Sequence, residues 1–301
     1  MTSKRLSVGM VLLSSFFWGS SFVAAKIGLE AISPLPYLAL RLAIAAPLGG
    51  LLILSVHQSA AHTLADRRVW GLGALNALAF AMQYWGLQHT TSTNAALLVT
   101  LNVVVVALLS VLVLRERLSL RLLSAVGLGS VGVILVTGGE DLLHGRMGAI
   151  LRSSTLLGDL LSMGAGVTWA VYIVITKRVL VSKRSPLSPE ALAGGVTIAT
   201  LPPILAVSFF YPWSGATDPL VIGLAGYLAL FCTIVAFLLW LKGLKTMSAT
   251  ATSVIVLLEL LFAALLGALI LSDRLSFVSS MGAALICAAA ILSSIEEIRK
   301  G

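Results

Sequence analysis

Residues Ala249 to Leu271 read ATATSVIVLLELLFAALLGALIL, 23 consecutive positions in which Glu259 is the only ionisable side chain. An α-helix needs ~20 apolar residues to cross ~30 Å of hydrocarbon, whereas a membrane strand alternates in polarity and needs only ~10. A helix also satisfies its own backbone hydrogen bonds in lipid. The stretch is therefore predicted to span a membrane, with Glu259 about eleven residues in and so, at ~1.5 Å per residue, near the bilayer centre.

Similar runs, bounded by charge, Pro or Gly, lie on either side of it. They predict helices over 8–29, 36–55, 69–88, 93–114 and 120–137, then 156–177, 190–210, 219–241, 249–271 and 275–294. Composition agrees: 58% of the 301 residues are hydrophobic and 11% are charged, against ~25% charged in soluble domains. The first run, after Lys4 and Arg5, is too long for a signal-peptide core and reads as a retained span. The net charge of +8 comes from short basic clusters between apolar runs rather than from one polar face, so it reads as a topology signal and not as a nucleic-acid footprint. With ten spans and the N-terminus inside, fifteen Lys and Arg residues, from Lys4 to Lys300, fall on the cytoplasmic side. Only Arg146, Arg152 and Arg274 fall outside. The positive-inside rule then puts both termini in the cytoplasm of a bacterial-type inner membrane.

The two halves of the chain repeat each other. Trp18 precedes Lys26 at the same spacing as Trp169 precedes Lys177. Gly86-Leu87 before Thr93-Asn94-Ala95 matches Gly243-Leu244 before Thr250-Ala251-Thr252, and Arg115-Glu116-Arg117-Leu118-Ser119 matches Ser272-Asp273-Arg274-Leu275-Ser276. Five helices per half is an odd number, so the second copy enters the membrane upside down. The fold class expected is all-α integral membrane, ten transmembrane helices in two inverted five-helix repeats, 1–148 and 149–301. Inverted repeats are the sequence mark of secondary transporters, in which a midplane site is opened to either side by rocking of related halves.

At the level of motifs the chain resembles a ten-helix, EamA-type member of the drug/metabolite transporter superfamily over essentially its whole length. The resemblance rests on Trp18-Gly19-Ser20-Ser21-Phe22, Leu40-Arg41-Leu42, Arg115-Glu116-Arg117-Leu118, Gly158-Asp159-Leu160-Leu161, and Leu258-Glu259-Leu260 through Leu271-Ser272-Asp273-Arg274. Similar proteins usually carry Pro after the Glu of the ninth helix, where this chain has Leu260. The resemblance implies export of metabolites or toxic compounds and coupling to an ion gradient, with amino acids and their relatives as the first substrate class.

Ionisable groups at the bilayer centre are costly and functional by default, which makes Glu259 a candidate proton carrier or a partner for a cationic substrate. The competing role is a carboxyl that only ties helices together. Asn102 is its repeat-mate and equally central; Asn76 and Thr233 are a second such pair. These four residues outline a polar midplane, although either Asn alone also suits an interhelical amide bond. Arg41 lies a few residues below the outer end of its helix. It either snorkels outward or faces a cavity, binding a carboxylate or pairing with Asp159. Trp18 and Trp169, repeat-related and mid-span, are candidate pocket walls together with Tyr172; Tyr84, Trp85 and Trp240 lie near helix ends, where an aromatic belt is expected. Gln83, Gln88 and Asn94 are weaker candidates for guiding entry.

Other patterns carry no chemistry. Gly127-Leu128-Gly129-Ser130-Val131-Gly132 follows no strand and reads as close helix packing rather than a nucleotide loop. Gly243-Leu244-Lys245-Thr246 lacks the adjacent Gly-Lys of a P-loop. His57 and His62 are off metal-pair spacing, and Cys232 and Cys287 have no Cys or His neighbours and read as packing residues. No metal, cofactor or catalytic cluster is expected, so the protein is read as no enzyme. The predicted function is secondary transport, by alternating access, of small organic metabolites such as amino acids, related amphipathic compounds or drugs, outward, in the lipid bilayer, with protons as candidate coupling ion. An uncoupled facilitator is the nearest rival and a non-transporting sensor a more distant one; the short loops leave little room for the soluble domain a sensor would add.

Overall fold

A computed structural model of the chain describes residues 4–56, 59–90, 98–100, 102–143, 156–182, 187–271 and 276–299, and among them there is no strand. The helices are α1 (Lys4–Gly28), α2 (Pro34–Leu54), the short α3 (Ala60–Ala65), α4 (Arg67–His89), α5 (Asn102–Leu109) running into a π turn at Ser110–Leu114, and α6 (Leu120–Leu143). The second half has α7 (Leu156–Leu180), α8 (Pro189–Ser208), α9 (Pro219–Tyr227), a π-helical segment (Leu228–Val235), α10 (Ala236–Thr246), α11 (Ala249–Val256), α12 (Leu258–Ile270) and α13 (Phe277–Arg299). Helix starts follow local chemistry. Pro occupies the first turn of α2, α8 and α9, where its missing N–H costs nothing. Asp66, Ser188, Asp218 and Ser248 cap α4, α8, α9 and α11 by accepting from a backbone N–H one turn on. The Arg68 guanidinium beside Asp66 holds that carboxyl below its ordinary range.

Among the described residues, eight stretches are long and apolar enough to cross a bilayer, including the continuous Pro219–Thr246 and Ala249–Ile270. Two predicted spans are not among the eight. α4 has the length, with 23 residues, but is less apolar. The apolar helix at 98–114 is shorter than those eight; the start of the predicted run, Thr93 to Ala95, lies outside the described residues. Leu51, Leu54, Leu112, Phe210 and Leu269 are more than half exposed on the outside of the bundle, an apolar surface that suits lipid rather than water. This is a multi-pass membrane protein.

Three features depart from the expected runs. α3 is an extra short helix in the loop that holds His62, whose N–H is capped by Ser59; His57 lies outside the described residues. The run from Ala249 is not one straight helix. It breaks at Leu257, where i→i+3 bonds from Leu257 to Val254 and from Leu260 to Leu257 tighten the chain, two residues before Glu259 and without a proline. Pro219–Thr246 is longer than predicted and contains the π-helical segment at its middle.

α2 packs against α8, with Gly49 meeting the Gly194 backbone near one end and Leu35, Leu38 and Leu42 clustered with Ile204 nearer the other. α6 packs against α13, from Arg121–Glu296 at one end to the bond from Ser279 Oγ to the Val136 carbonyl at the other. Both pairs are therefore antiparallel. Gly132 and Gly282 face each other there, so the glycine-rich stretch packs helices, as expected. α4 packs on α7, and α1 on α10 and α12.

Candidate functional site

α1 carries Trp-Gly-Ser-Ser-Phe to mid-bundle, where Trp18, Gly19 and Ser20 each have a local reason. Gly19 packs so tightly on α12 that a Cβ there would lie 2.6 Å from the Glu259 carbonyl oxygen and 2.6 Å from the Phe262 Cβ. Ser20 bonds the Tyr227 hydroxyl at 2.6 Å, and the Cys232 thiol donates to the Phe17 carbonyl. Trp18 Nε1 donates to the Cys232 carbonyl at 3.0 Å. Cys232 and Thr233 lie in the π-helical segment, whose wider turn frees carbonyls that a regular helix would keep for itself.

Arg41 reaches the same spot from α2. Its Nε donates to Thr233 Oγ1 at 2.7 Å and its Nη2 to the Cys232 carbonyl at 3.2 Å, while Thr233 Oγ1 donates to the Leu228 carbonyl. Thr233 stands midway along Pro219–Thr246, so the guanidinium turns into the bundle and does not snorkel. Pairing with Asp159 is not observed: Asp159 accepts from Thr90 Oγ1 at the opposite end of α4 from Arg67. Trp18, Arg41 and Thr233 thus form one cluster around a backbone oxygen.

A second cluster is built on α4, α7 and α8. Trp169 Nε1 donates to Asn76 Oδ1 at 3.3 Å, Asn76 Nδ2 donates to Thr200 Oγ1 at 3.2 Å, and Thr200 Oγ1 donates to the Val196 carbonyl. Phe80 stands edge-on to Trp169, ring centres 5.3 Å apart. Asn76 and Thr233, read as repeat-mates, each serve a different indole-centred cluster.

Tyr172 is buried and stacks on Phe237 and Trp240, and Trp240 also meets Trp18 at 6.0 Å. Trp240, expected in an interfacial belt, is only 3% exposed and belongs to this internal aromatic stack. Trp85 is exposed and donates to the Tyr211 hydroxyl, as a belt residue can. Glu259 follows the break in the Ala249–Ile270 span and has no hydrogen-bond or ion-pair partner among the described residues. Asn102, at the start of α5, likewise has none, and no hydrogen bond joins the two. The side chain of Gln88, and Asn94, lie outside the described residues. A cavity of about 200 Å³ opens between α6, α12 and α13, lined by Val136, Leu261, Ala264 and Ser279 among others; no candidate residue lines it.

At the basic end of the bundle, charged groups converge on the turn from Thr246 to Thr250. Lys177 Nζ donates to the Leu244 and Met247 carbonyls, each at 2.7 Å, and Glu116 accepts from the Ala249 N–H at 2.9 Å. Buried Glu297 pairs with Lys4 at 3.1 Å and accepts from Ser248 at 2.7 Å. Arg115, in left-handed conformation (φ 56°), turns the chain so that Glu116 reaches the start of α11. Residues first read as topology signals also close one end of the bundle.

Sequence reasoning missed Thr200, Phe237 and the Cys232 carbonyl. The aromatic spacing Phe237-Trp240 was a usable signal, because i and i+3 share a helix face. A backbone carbonyl freed by a π segment leaves no mark in the sequence.

Comparison with known proteins agrees with this architecture. A family model described as the EamA-like transporter family matches residues 5–138 and 156–295. A protein of Archaeoglobus fulgidus (strain ATCC 49558) described as an uncharacterized transporter is 27% identical over 96% of this chain and 97% of its own length. The Bacillus subtilis (strain 168) uncharacterized transporter YyaM is 28% identical over 83% of this chain and 81% of its own. A solved crystal structure superposes with a TM-score of 0.82 at 20% identity, covering 97% of this chain and 98% of the other, and so shares its fold.

Proposed function

The chain belongs to the EamA-like transporter family, and from that premise we propose that it is a secondary transporter of ten helices in two inverted five-helix repeats, 1–148 and 149–301, that exports small organic metabolites by alternating access. It sits in an inner membrane with both termini cytoplasmic, the orientation its basic residues favour, and Glu259 is the group that couples transport to protons.

The observation that carries this reading is the recurrence of the same contacts in the two halves. Trp18 reaches Cys232 beside Thr233 as Trp169 reaches Asn76. A Cβ on Gly243 would meet Val11 and the Ser7 carbonyl, and one on Gly86 would meet Ser162 and the Gly158 carbonyl; the partners are again repeat-mates. The antiparallel pairs α2 with α8 and α6 with α13 join helices that correspond between the repeats. A pseudo-two-fold axis in the membrane plane produces this pattern. It supports a solute site near mid-depth, beside the two indole clusters, that opens alternately to either side.

The seal at the Thr246–Thr250 turn supports a conformation closed at the basic end. Rocking the halves must break the Glu116–Ala249 and Lys4–Glu297 contacts, which join one half to the other, to open it, and this supports a gated carrier over an open pore.

A flux assay in proteoliposomes with amino acids, amines and aromatic acids tests the transporter reading; binding without movement of any solute ends it. For the coupling role, flux is followed from pH 5.5 to 8.5 in wild type and Glu259→Gln. The variant is expected to lose gradient-driven accumulation and its pH dependence while keeping exchange. An unaltered rate and pH profile would remove Glu259 from the mechanism.

A further inference from the structure

Arg41 brings a permanent positive charge into the interior of the bundle, and both of its acceptors there, Thr233 Oγ1 and the Cys232 carbonyl, are neutral. These bonds use two of the five N–H donors of a guanidinium. Among the described residues no carboxylate pairs with it. Asp159 is taken by Thr90, Glu190 by Lys242, Glu297 by Lys4 and Ser248, and Glu259 stands alone. A charge in a low-dielectric interior without a counter-charge is costly, and a fold that needed only a polar strut between α2 and the π segment could use the neutral arrangement of its second indole cluster. There, Trp169, Asn76 and Thr200 close a comparable cluster with no charge. Arg41 is also only half-buried, and its two bonds leave the remaining guanidinium N–H groups uncommitted among the described residues.

We propose that Arg41 is the receptor for a carboxylate of the transported solute, which makes the substrates organic acids or zwitterions whose apolar body packs beside Trp18. The planar guanidinium fork matches a carboxylate with two parallel N–H···O bonds. One guanidinium neutralises one carboxylate. A phosphate ester, with more charge, would want further cations, and none of the described residues bonded in this cluster supplies one. The Cys232 carbonyl and Thr233 hydroxyl hold the fork in place through Nε and one Nη2 hydrogen. Because they sit on the π segment, a solute pulling on Arg41 also pulls on the middle of the Pro219–Thr246 span. The inference deepens the transporter reading and rests on it.

The test uses the purified full-length protein and probes matched in skeleton: phenylacetate with phenylacetamide, L-phenylalanine with L-phenylalaninamide, and L-leucine with L-leucinamide. Binding is measured by calorimetry and flux in proteoliposomes. Wild type is expected to bind at least one acid about tenfold or more tighter than its amide, the ratio expected of a charge-assisted pair. Arg41→Gln should bring that acid to within about threefold of the amide and leave amide affinity unchanged, and Arg41→Lys should recover part of the preference by charge alone. The inference is overturned if acids bind no better than amides in wild type, if Arg41→Gln keeps the preference, or if the variant loses acid and amide equally with a fall in melting temperature, which would make Arg41 a strut. Movement of the amides without binding of any acid overturns the inference and leaves transport standing; acids that bind through Arg41 and never cross the membrane overturn transport, and with it the role of the bound acid as cargo.

Discussion

The Trp18 and Trp169 clusters are the same device built twice from different materials. In the cluster around Trp169, the indole, Asn76 and Thr200 satisfy one another through side chains, and every partner is neutral. In the cluster around Trp18 the indole donates to a backbone carbonyl in a π-helical segment, and that carbonyl is shared with a guanidinium. Only one of the two clusters holds a charge. A membrane interior tolerates such asymmetry only where something offsets the cost, so the charged cluster is where specificity is expected and the neutral one is where the fold is held.

That contrast can be broken by substitution. The largest effect is expected at Gly19, where Gly19→Ala should force α1 from α12 and cost about 1–3 kcal/mol by overpacking. Its repeat-mate Ala170 is fully buried with a Cβ already accommodated, and Ala170→Gly should cost only about 0.5–1 kcal/mol. Thermal melts in detergent compare the two, and equal losses would mean that the halves pack alike around their indoles. A middle-sized effect is expected from removing the indole N–H alone. Trp169→Phe strands Asn76 Oδ1 and should cost about 1 kcal/mol, whereas Trp18→Phe leaves the Cys232 carbonyl its Arg41 donor and should cost a few tenths. The reverse order in melting temperature would show that Arg41 does not satisfy that carbonyl. Smallest of all, Thr200→Val removes an acceptor from the neutral cluster at about 0.5 kcal/mol and should leave solute flux within about twofold of wild type. A larger drop in flux would make the second cluster part of the solute site.

Much of this was legible in the chain. The length and continuity of runs such as Ala249–Leu271 mark a membrane helix because lipid offers no partner for an unpaired backbone, and the repeat spacing of Trp18 and Trp169 located both indole clusters before any coordinates. Tyr172 stacks within the internal aromatic group, whereas Trp240 was misassigned to a belt because distance from a helix end says little once a span exceeds the hydrocarbon thickness. Asn76 and Thr233, read as repeat-mates that outline a polar midplane, each bond within a different indole cluster. Repeat-mates are equivalent by symmetry and need touch only at the axis.

What the sequence alone determined is the solvent and the periodicity: an all-helical membrane chain in two related halves, whose costly polar residues lie near the middle of its spans. Those properties depend on composition and spacing, which are local or simply repeated. What only the tertiary structure decided is which polar group meets which. Arg41 can snorkel or turn inward with the same helix around it. The outcome depends on a π segment nearly two hundred residues later that frees a carbonyl at the right height, and hydrogen-bond choice among distant helices is fixed by packing geometry that no single stretch of sequence contains.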